Sequence, residues 1–434
     1  MKPLIPYSIT IEELAQLGSA NIPKELISSS HLIYNSPAAL AFNSPGAQGF
    51  GVKRAGLAIP GSIMLLIGPG CCGRNTTILS EMGGYSERFF YYQMDETDIV
   101  TGRHLRKIAS AIEEILATQT VCPSVVMVCM TCVDALLGTD MEQVCKKATQ
   151  KIGVPVVPCY MYALTREGRK PPMVDVRRAV YSLLEKQTRN RRTVNLIGYF
   201  SPLQDDCELY ELFKNMGIHT IHELARCKDY DSYKTLSQAN FNIILHPEAR
   251  LAAQDMQERL GIPSIELTRL YQVAKIHTQY QALGRTLGVS VEDTAWWEQA
   301  KEIVSEIKQR CAGIRVSIGE MQNGNAYEMA LALTKYGFAV KEIFANISEN
   351  DYVYIRHLTE LTPLTKVYSN LSPSMIYYED GHEHIDVTIG KDCSYYHPHA
   401  VHVHWDEDIQ PFGYAGVISL LKRIQFSLRE RNIA

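Results

Sequence analysis

The stretch SIMLLIGPGCCGRNTT, residues 62–77, decides the fold. Its first seven residues are an almost unbroken apolar run, which reads as a strand buried on both faces; such runs belong to parallel sheets covered by helices on either side. A Gly-Pro-Gly turn follows at once, and GRNTTILSEMG (73–83) then opens a helix or loop. Strand, glycine turn and helix are the first half of a βαβ unit.

The rhythm repeats outward from there. TGRHLRKIASAIEEILA (101–117) is spaced as an amphipathic helix, SVVMVCM (124–130) is a second strand, TCVDALLGTDMEQVCKKATQKIG is a turn and a helix with Gly153 past its end, and VPVVPCY (154–160) is a third strand. A basic stretch, KQTRNRR (186–192), ends this series. TVNLIGYF (193–200), the helix DDCELYELFKNMGI, FNIILH (241–246), a helix to Leu260 and GIPSIEL form a second series, followed by a long helical region over 269–311. RVSIGE (315–320), a helix over 324–337, FAVKEIFAN, a helix over 350–361, LTKVYSN, HIDVTIGK (384–391) and a closing helix in PFGYAGVISLLKRIQFSLRERN form a third. The expected fold is α/β: three doubly wound Rossmann-like domains, with parallel sheets around a central cleft. The expected domains are 1–190 with an N-terminal extension and the cysteine turns, 191–314, and 315–434 with a histidine-rich loop. In such sheets ligands sit at the carboxyl ends of the strands.

Composition agrees. The 434 residues are 46% hydrophobic and 21% charged, which suits packed domains of about 100–200 residues each. A formal net charge of −4 argues against a surface that is wholly a nucleic-acid polycation. No apolar run approaches the roughly 18 residues that span a bilayer. The start, MKPLIPYSITIEELAQ, lacks the basic beginning and long apolar stretch of a signal peptide. The expectation is a cytoplasmic protein with neither a nucleic acid nor a membrane as partner.

Eleven cysteines, seven of them between 71 and 159, do not suit a disulfide scaffold in a long cytoplasmic chain. Most read as small buried hydrophobes, and two to four of the clustered ones as thiolate ligands. Gly68 and Gly73 have the spacing of a phosphate-binding loop, but Arg74 stands where the lysine belongs, Asn75 stands where the hydroxyl belongs, and Pro69 removes a backbone donor. The segment reads better as a cysteine-bearing turn whose backbone N–H groups favour cluster sulfides. Adjacent cysteines point different ways, so one of Cys71 and Cys72 is the expected ligand. Cys129-Met-Thr-Cys132 is a C-x-x-C after another strand. As a redox dithiol it lacks the small-domain context of that motif. Paired with Cys71 and Cys72, it gives two cysteine turns on one sheet, the geometry of an iron–sulfur site. The plain structural alternative for both turns is buried cysteine in tight turns.

Three motifs, in order, carry a resemblance: Gly68-Pro69-x-x-Cys72; Met94-Asp-Glu-Thr-Asp98-Ile-Val-x-Gly102; and Cys132-x-x-x-Leu136-Leu-Gly138-x-Asp140. Together with Pro411-Phe-Gly-Tyr-x-Gly416 they resemble the nitrogenase component 1 family. That family includes the nitrogenase molybdenum–iron protein, its cofactor-scaffold relatives, the protochlorophyllide and chlorophyllide reductases, and a nickel-sirohydrochlorin reductive cyclase. The resemblance implies that Cys72 and Cys132 are ligands of an electron-transfer iron–sulfur cluster at a subunit interface. It also implies that Gly68, Pro69 and Gly138 shape the turns around the cluster, and that Asp98 orders the loop between them. Cys71 and Cys129 are extra, as replacement ligands or bystanders. The implied partners are an ATP-hydrolysing iron protein and a second subunit, either a copy of this chain or a paralogue. Two matched cysteines are half of a four-thiolate [4Fe–4S] set, so a second chain supplies the rest. Within one chain the set would be Cys71, Cys72, Cys129 and Cys132.

Departures from the family also inform. AFNSPGAQGFG (41–51) and FNIILHPEAR (241–250) hold no cysteine, and QPFGYAG (410–416) holds no histidine, where dinitrogen-reducing members carry ligands. Dinitrogen is therefore not the expected substrate, and a second metallocluster stays open. The expectation is an oxygen-sensitive, nitrogenase-like oxidoreductase subunit acting on a tetrapyrrole or a small sulfur or carbon compound. The alternative is a scaffold for metallocluster assembly without turnover.

His382, His384, His397, His399, His402 and His404 lie close together late in the chain. Alternating pairs share a face when extended. With an unperturbed pKa of roughly 6.5, imidazoles can donate protons near neutrality, and His397 and His399 are the candidate catalytic pair. The alternative is a polar surface loop. The aromatic groups FFYYQ (89–93), MIYY (375–378) and SYY (394–396) read as a pocket, an interface or ordinary packing, and Trp296-Trp297 as a packing or oligomer contact.

Overall fold

Continuous burial is what the strand at 62–68 predicts, and every residue from Ser62 to Gly68 is buried. The architecture comes from a computed structural model, which describes residues 5–27, 37–38, 55–82, 84–160, 172–379 and 384–431. Contacts divide the chain into two units: Met1–Asn43 with Leu203–Gly217 and Arg269–Ala434, and Ser44–Pro202 with Ile218–Thr268.

The first unit begins with β1 (Ile9–Thr10), an antiparallel edge strand paired with residues 366–367 and followed by the helix Ile11–Leu17. Thr10 and Glu13 close a capping box at that helix start.

The second unit carries two four-stranded parallel sheets. The first has β2 (Ser62–Gly68), β3 (Phe89–Gln93), β4 (Val125–Met130) and β5 (Val156–Tyr160) in the order β3-β2-β4-β5. Alternate residues serve opposite faces. Met64, Leu66, Met127 and Cys129 share a core with Val176 and Val180 of the helix Pro172–Tyr181. Ile63, Leu65, Ile67, Val126, Val128 and Met130 pack with Ile108 and Ile112 of the helix Arg103–Thr118, and with Met141, Cys145 and Ala148 of the helix Met141–Ile152. The second sheet has β6 (Asn190–Ile197), β7 (Thr220–Glu223), β8 (Ala239–Ile244) and β9 (Ser264–Glu266) in the order β7-β6-β8-β9.

The remaining strands belong to the first unit: β10 (Arg315–Gly319), β11 (Ala339–Phe344), β12 (Lys366–Tyr368), β13 (Val387–Ile389) and β14 (Val401–Val403). They form the parallel part of a sheet ordered β1-β12-β11-β10-β13-β14. The closing helix, Gly413–Glu430, begins on a buried carboxylate. Glu208 accepts from the backbone N–H groups of Tyr414 at 2.7 Å and Ala415 at 3.1 Å, placing negative charge at the positive end of the helix. Burial raises the Glu208 carboxyl pKa above its ordinary value. Gly413 sits at φ +61°, and a Cβ there would overlap the Glu208 carboxylate, which explains the Phe-Gly-Tyr sequence.

The expected α/β class with parallel sheets is the observed one. FFYYQ is ordinary packing, one of the readings it offered: it forms the edge strand β3, half-buried and aromatic rather than aliphatic. Two local expectations change. The helical region 269–311 is two helices, Val273–Leu287 and Thr294–Arg310, broken after the left-handed Gly288. The histidine-rich segment is not all loop: it contains the helix Lys391–Tyr396 and β14.

Candidate functional site

The site is built where β2 and β4 end side by side. Ile67 pairs with Met130, so the next residues, Gly68 and Thr131, are neighbours. The chain after β2 turns directly into the helix Gly70–Met82, with the Cys72 and Gly73 N–H groups donating to the Pro69 carbonyl at 3.0 and 3.4 Å. Helix starts two residues past the strand, so no open phosphate-cradling loop forms. The chain after β4 turns into the short helix Cys132–Leu136. A Cβ built on Gly68 would lie 2.7 Å from the Thr131 methyl and 3.3 Å from the Cys72 Cβ, so a bare α-carbon is what lets the two cysteine turns meet.

A third strand locks them. The Gly68 carbonyl accepts from the Met94 N–H at 2.8 Å and from the Tyr91 hydroxyl at 2.9 Å. The Tyr91 ring covers Gly73, leaving no room for a side chain there. Burial raises the Tyr91 hydroxyl pKa, and the neighbouring Cys72 and Cys71 raise it further.

The segment after β3 supports the second turn. Asp95 and Asp98 cap the helix Glu96–Thr101 reciprocally. The Arg103 guanidinium donates to the buried Asp98 at 2.6 Å and, with Asp95 and Lys107, holds its carboxyl below the ordinary range. His104 is fully buried, with Nδ1 3.0 Å from the Asp98 carbonyl and Nε2 2.8 Å from Asp134 Oδ1. Asp134 lies two residues after Cys132 and also accepts from the Thr139 hydroxyl at 3.2 Å. Gly138 closes the turn at φ +67°, and Asp140 caps the next helix through the Gln143 N–H at 3.0 Å.

Of the candidate thiols, Cys71 and Cys132 are exposed and Cys72 is half-buried. Cys129 is not brought to that edge; it lies within β4 in the apolar core with Met127 and Cys159. Among the described residues, no group of three or more His, Cys, Asp or Glu side chains within one chain is placed to hold a metal ion. The donor set nonetheless fits a thiolate-held iron–sulfur group shared with a second chain: soft sulfur donors on one sheet edge, beside a buried Thr131 hydroxyl that has no hydrogen-bond partner. Val100, Leu136 and Leu137, in the turns after β3 and β4, are 85%, 70% and 51% exposed.

The histidines lie in the other unit. His397 is buried: Nε2 is 2.7 Å from Glu342 and 3.1 Å from the Tyr378 hydroxyl, within a cluster of Phe344, Tyr368 and Tyr396 rings. His399 is exposed, and its carbonyl accepts from Arg431. The two do not form one proton-donating surface. His402 lies in β14 against the Thr388 hydroxyl at 3.3 Å, edge-on to His404, and burial lowers its pKa. His384 is exposed beside Asp386, and His382 lies outside the described residues.

Sequence reading missed Tyr91, His104, Thr131 and Asp134. The Asp134 contact with His104 spans thirty residues, and nothing local announces it.

These features define a Rossmann-like α/β protein with two cysteine-bearing turns side by side at the carboxyl edge of one sheet. The chain belongs to the family of nitrogenase component 1 type oxidoreductases, which matches residues 47–428. Among similar curated proteins, a nitrogenase iron-molybdenum cofactor biosynthesis protein NifE from a Nostoc species is 27% identical over 234 residues, covering 50% of this chain and 48% of that one. The NifE of Rhodobacter capsulatus is 30% identical over 181 residues (41% and 38%), and that of Rhizobium meliloti 24% over 362 residues (78% and 74%). The chain thus spans about half the length of the first of these relatives. A solved structure described as nitrogenase Cp1 at pH 6.5 has the same fold, with a TM-score of 0.70 at 17% identity over 94% of this chain and 96% of that one. Among the described residues, no helix is long and apolar enough to cross a membrane.

Proposed function

We propose that this chain is a cytoplasmic scaffold of metallocluster assembly. In this reading Cys72 and Cys132, with the same pair from a copy or paralogue, hold an iron–sulfur cluster, and Cys71 is a spare ligand at the rim. The carrying observation is the meeting of the two cysteine turns at Gly68 and Thr131. The exposed apolar residues Val100, Leu136 and Leu137 support a protein partner over that edge. The names of the relatives, cofactor biosynthesis proteins, support assembly over turnover. The missing cysteines at 41–51 and 241–250 support a carrier over a dinitrogen-reducing centre.

A bound iron–sulfur cluster supplies one-electron chemistry, and the family description keeps a second reading in play: a reductase subunit fed by an ATP-hydrolysing iron protein. One experiment separates the two. Chain loaded with ⁵⁷Fe cluster is incubated anaerobically with iron protein, ATP, dithionite, and an apo component 1 protein as acceptor. A scaffold passes ⁵⁷Fe to the acceptor and consumes no reductant beyond the iron protein's background. Steady reductant consumption with a chlorophyllide or another tetrapyrrole, and no transfer of label, would establish the reductase instead.

A further inference from the structure

The residue before Cys132 is a threonine in the position that caps a helix. A threonine there ordinarily accepts a hydrogen bond from an N–H of the first turn. Thr131 has the extended backbone of a cap, φ −94° and ψ −178°, but its side chain makes no capping bond. The residue is 1% exposed, and its hydroxyl has no hydrogen-bond partner. A buried hydroxyl in that state is destabilising by itself. The side chain leans toward β2 instead. The hydroxyl oxygen is 3.5 Å, the methyl 2.7 Å, and the Cys72 Cβ 3.3 Å from the point a Gly68 Cβ would occupy. The hydroxyl and the stem of Cys72 therefore pack close together against the bare Gly68, and Thr131 directly precedes Cys132.

We propose that Thr131 tunes the cluster held by Cys72 and Cys132, its O–H donating to a thiolate or sulfide sulfur. The inference rests on the cluster reading above. Donors to the sulfurs stabilise the more negative, reduced state and raise the reduction potential. A hydroxyl rotates freely and carries one proton to give. The other buried atom left without a partner on this turn, Asp134 Oδ2, belongs to a carboxylate, which accepts and has no proton to offer a sulfur when ionised. Thr131 is the donor.

The test compares Thr131→Val, which keeps the shape and removes the hydroxyl, with Thr131→Ser, which keeps the hydroxyl. Each is reconstituted anaerobically with ferrous iron and sulfide, its iron is counted, and its midpoint is read by an EPR-monitored titration. The valine variant holds wild-type iron, and its midpoint moves negative by about tenfold in the one-electron equilibrium, about 59 mV; the serine variant stays near wild type. Without iron, the valine variant melts no lower than wild type. An unmoved midpoint in the valine variant overturns the proposal, as does a lower melting point of its apo form, which would mean that the hydroxyl has a protein partner. Iron lost from the valine variant alone supports a contact between hydroxyl and cluster; iron lost from both variants overturns it. A wild type that takes up no iron ends the cluster reading and this inference together, whereas a loaded wild type beside an unshifted valine variant ends only the role of Thr131.

Discussion

Gly68→Ala tests the packing on which the site depends. The backbone of Gly68 is not left-handed, so alanine is conformationally allowed and restricts the unfolded chain, worth about 0.4–1 kcal/mol in favour of folding. Against that, the new methyl meets the Thr131 methyl at 2.7 Å, where carbon atoms prefer about 3.5–4.0 Å. Thr131 is β-branched and buried, so it has no open rotamer to retreat to. The ends of β2 and β4 must part, and overpacking of this kind costs about 1–3 kcal/mol. The net expectation is a loss of about 1–2 kcal/mol in urea unfolding of the apo protein. Reconstituted iron should fall to less than half although every cysteine remains, because the two turns no longer meet. Thr131→Ser removes the offending methyl, so the double variant Gly68→Ala/Thr131→Ser should recover most of both losses. Additive effects in that cycle, or a Gly68→Ala single variant with unchanged iron and an unchanged urea midpoint, would contradict this packing.

His397→Ala leaves the buried Glu342 carboxylate with one hydrogen-bond donor fewer and should cost about 2–4 kcal/mol in denaturant unfolding, whereas His399→Ala, at an exposed position, should stay within about 0.5 kcal/mol. Gly413→Ala forces a positive φ on alanine and drives its methyl into the Glu208 carboxylate, so thermal unfolding should show a loss of about 2–4 kcal/mol. Burial pushes the Glu328 carboxyl up to about 7, although it accepts from the Tyr271 and Gln272 N–H groups. The folded state then binds this proton more tightly than the unfolded state, so stability falls as pH rises from about 4.5 to 7 and is level above. At about 1.36 kcal/mol per pKa unit, Glu328→Gln should flatten the pH dependence of the unfolding free energy by up to about 3 kcal/mol over that window; identical slopes for wild type and variant would refute the assignment.

What the sequence shows directly is what one periodicity can carry. The strands Ser62–Gly68 and Val125–Met130 are nearly continuous apolar runs because helices cover both faces of their sheet, and the runs are visible without any partner. β3 sits at the edge of that sheet, half-covered and aromatic, so the same signal is weak. β14 and the helix Lys391–Tyr396 are too short for a period to register, and histidine and tyrosine there suggested a loop. The cysteine turns were legible through glycine, proline and spacing. Their supports were not: Tyr91 reaches Gly68 across 23 residues and His104 reaches Asp134 across 30, contacts set by strand order rather than by neighbours in the chain. The burial of His397 against Glu342 is likewise a product of the sheet, since Glu342 lies in β11, 55 residues earlier.

In the proposed site, Cys72 and Cys132 of two chains share one cluster. Native mass spectrometry of anaerobically reconstituted protein reads chain number and cluster mass in the same ion. A cluster is expected on a two-chain species and on no single-chain species, abolished by Cys72→Ala or Cys132→Ala and unaffected by Cys227→Ala or Cys311→Ala. A complete cluster carried by one chain, or one that survives loss of Cys72 and Cys132, would contradict this sharing.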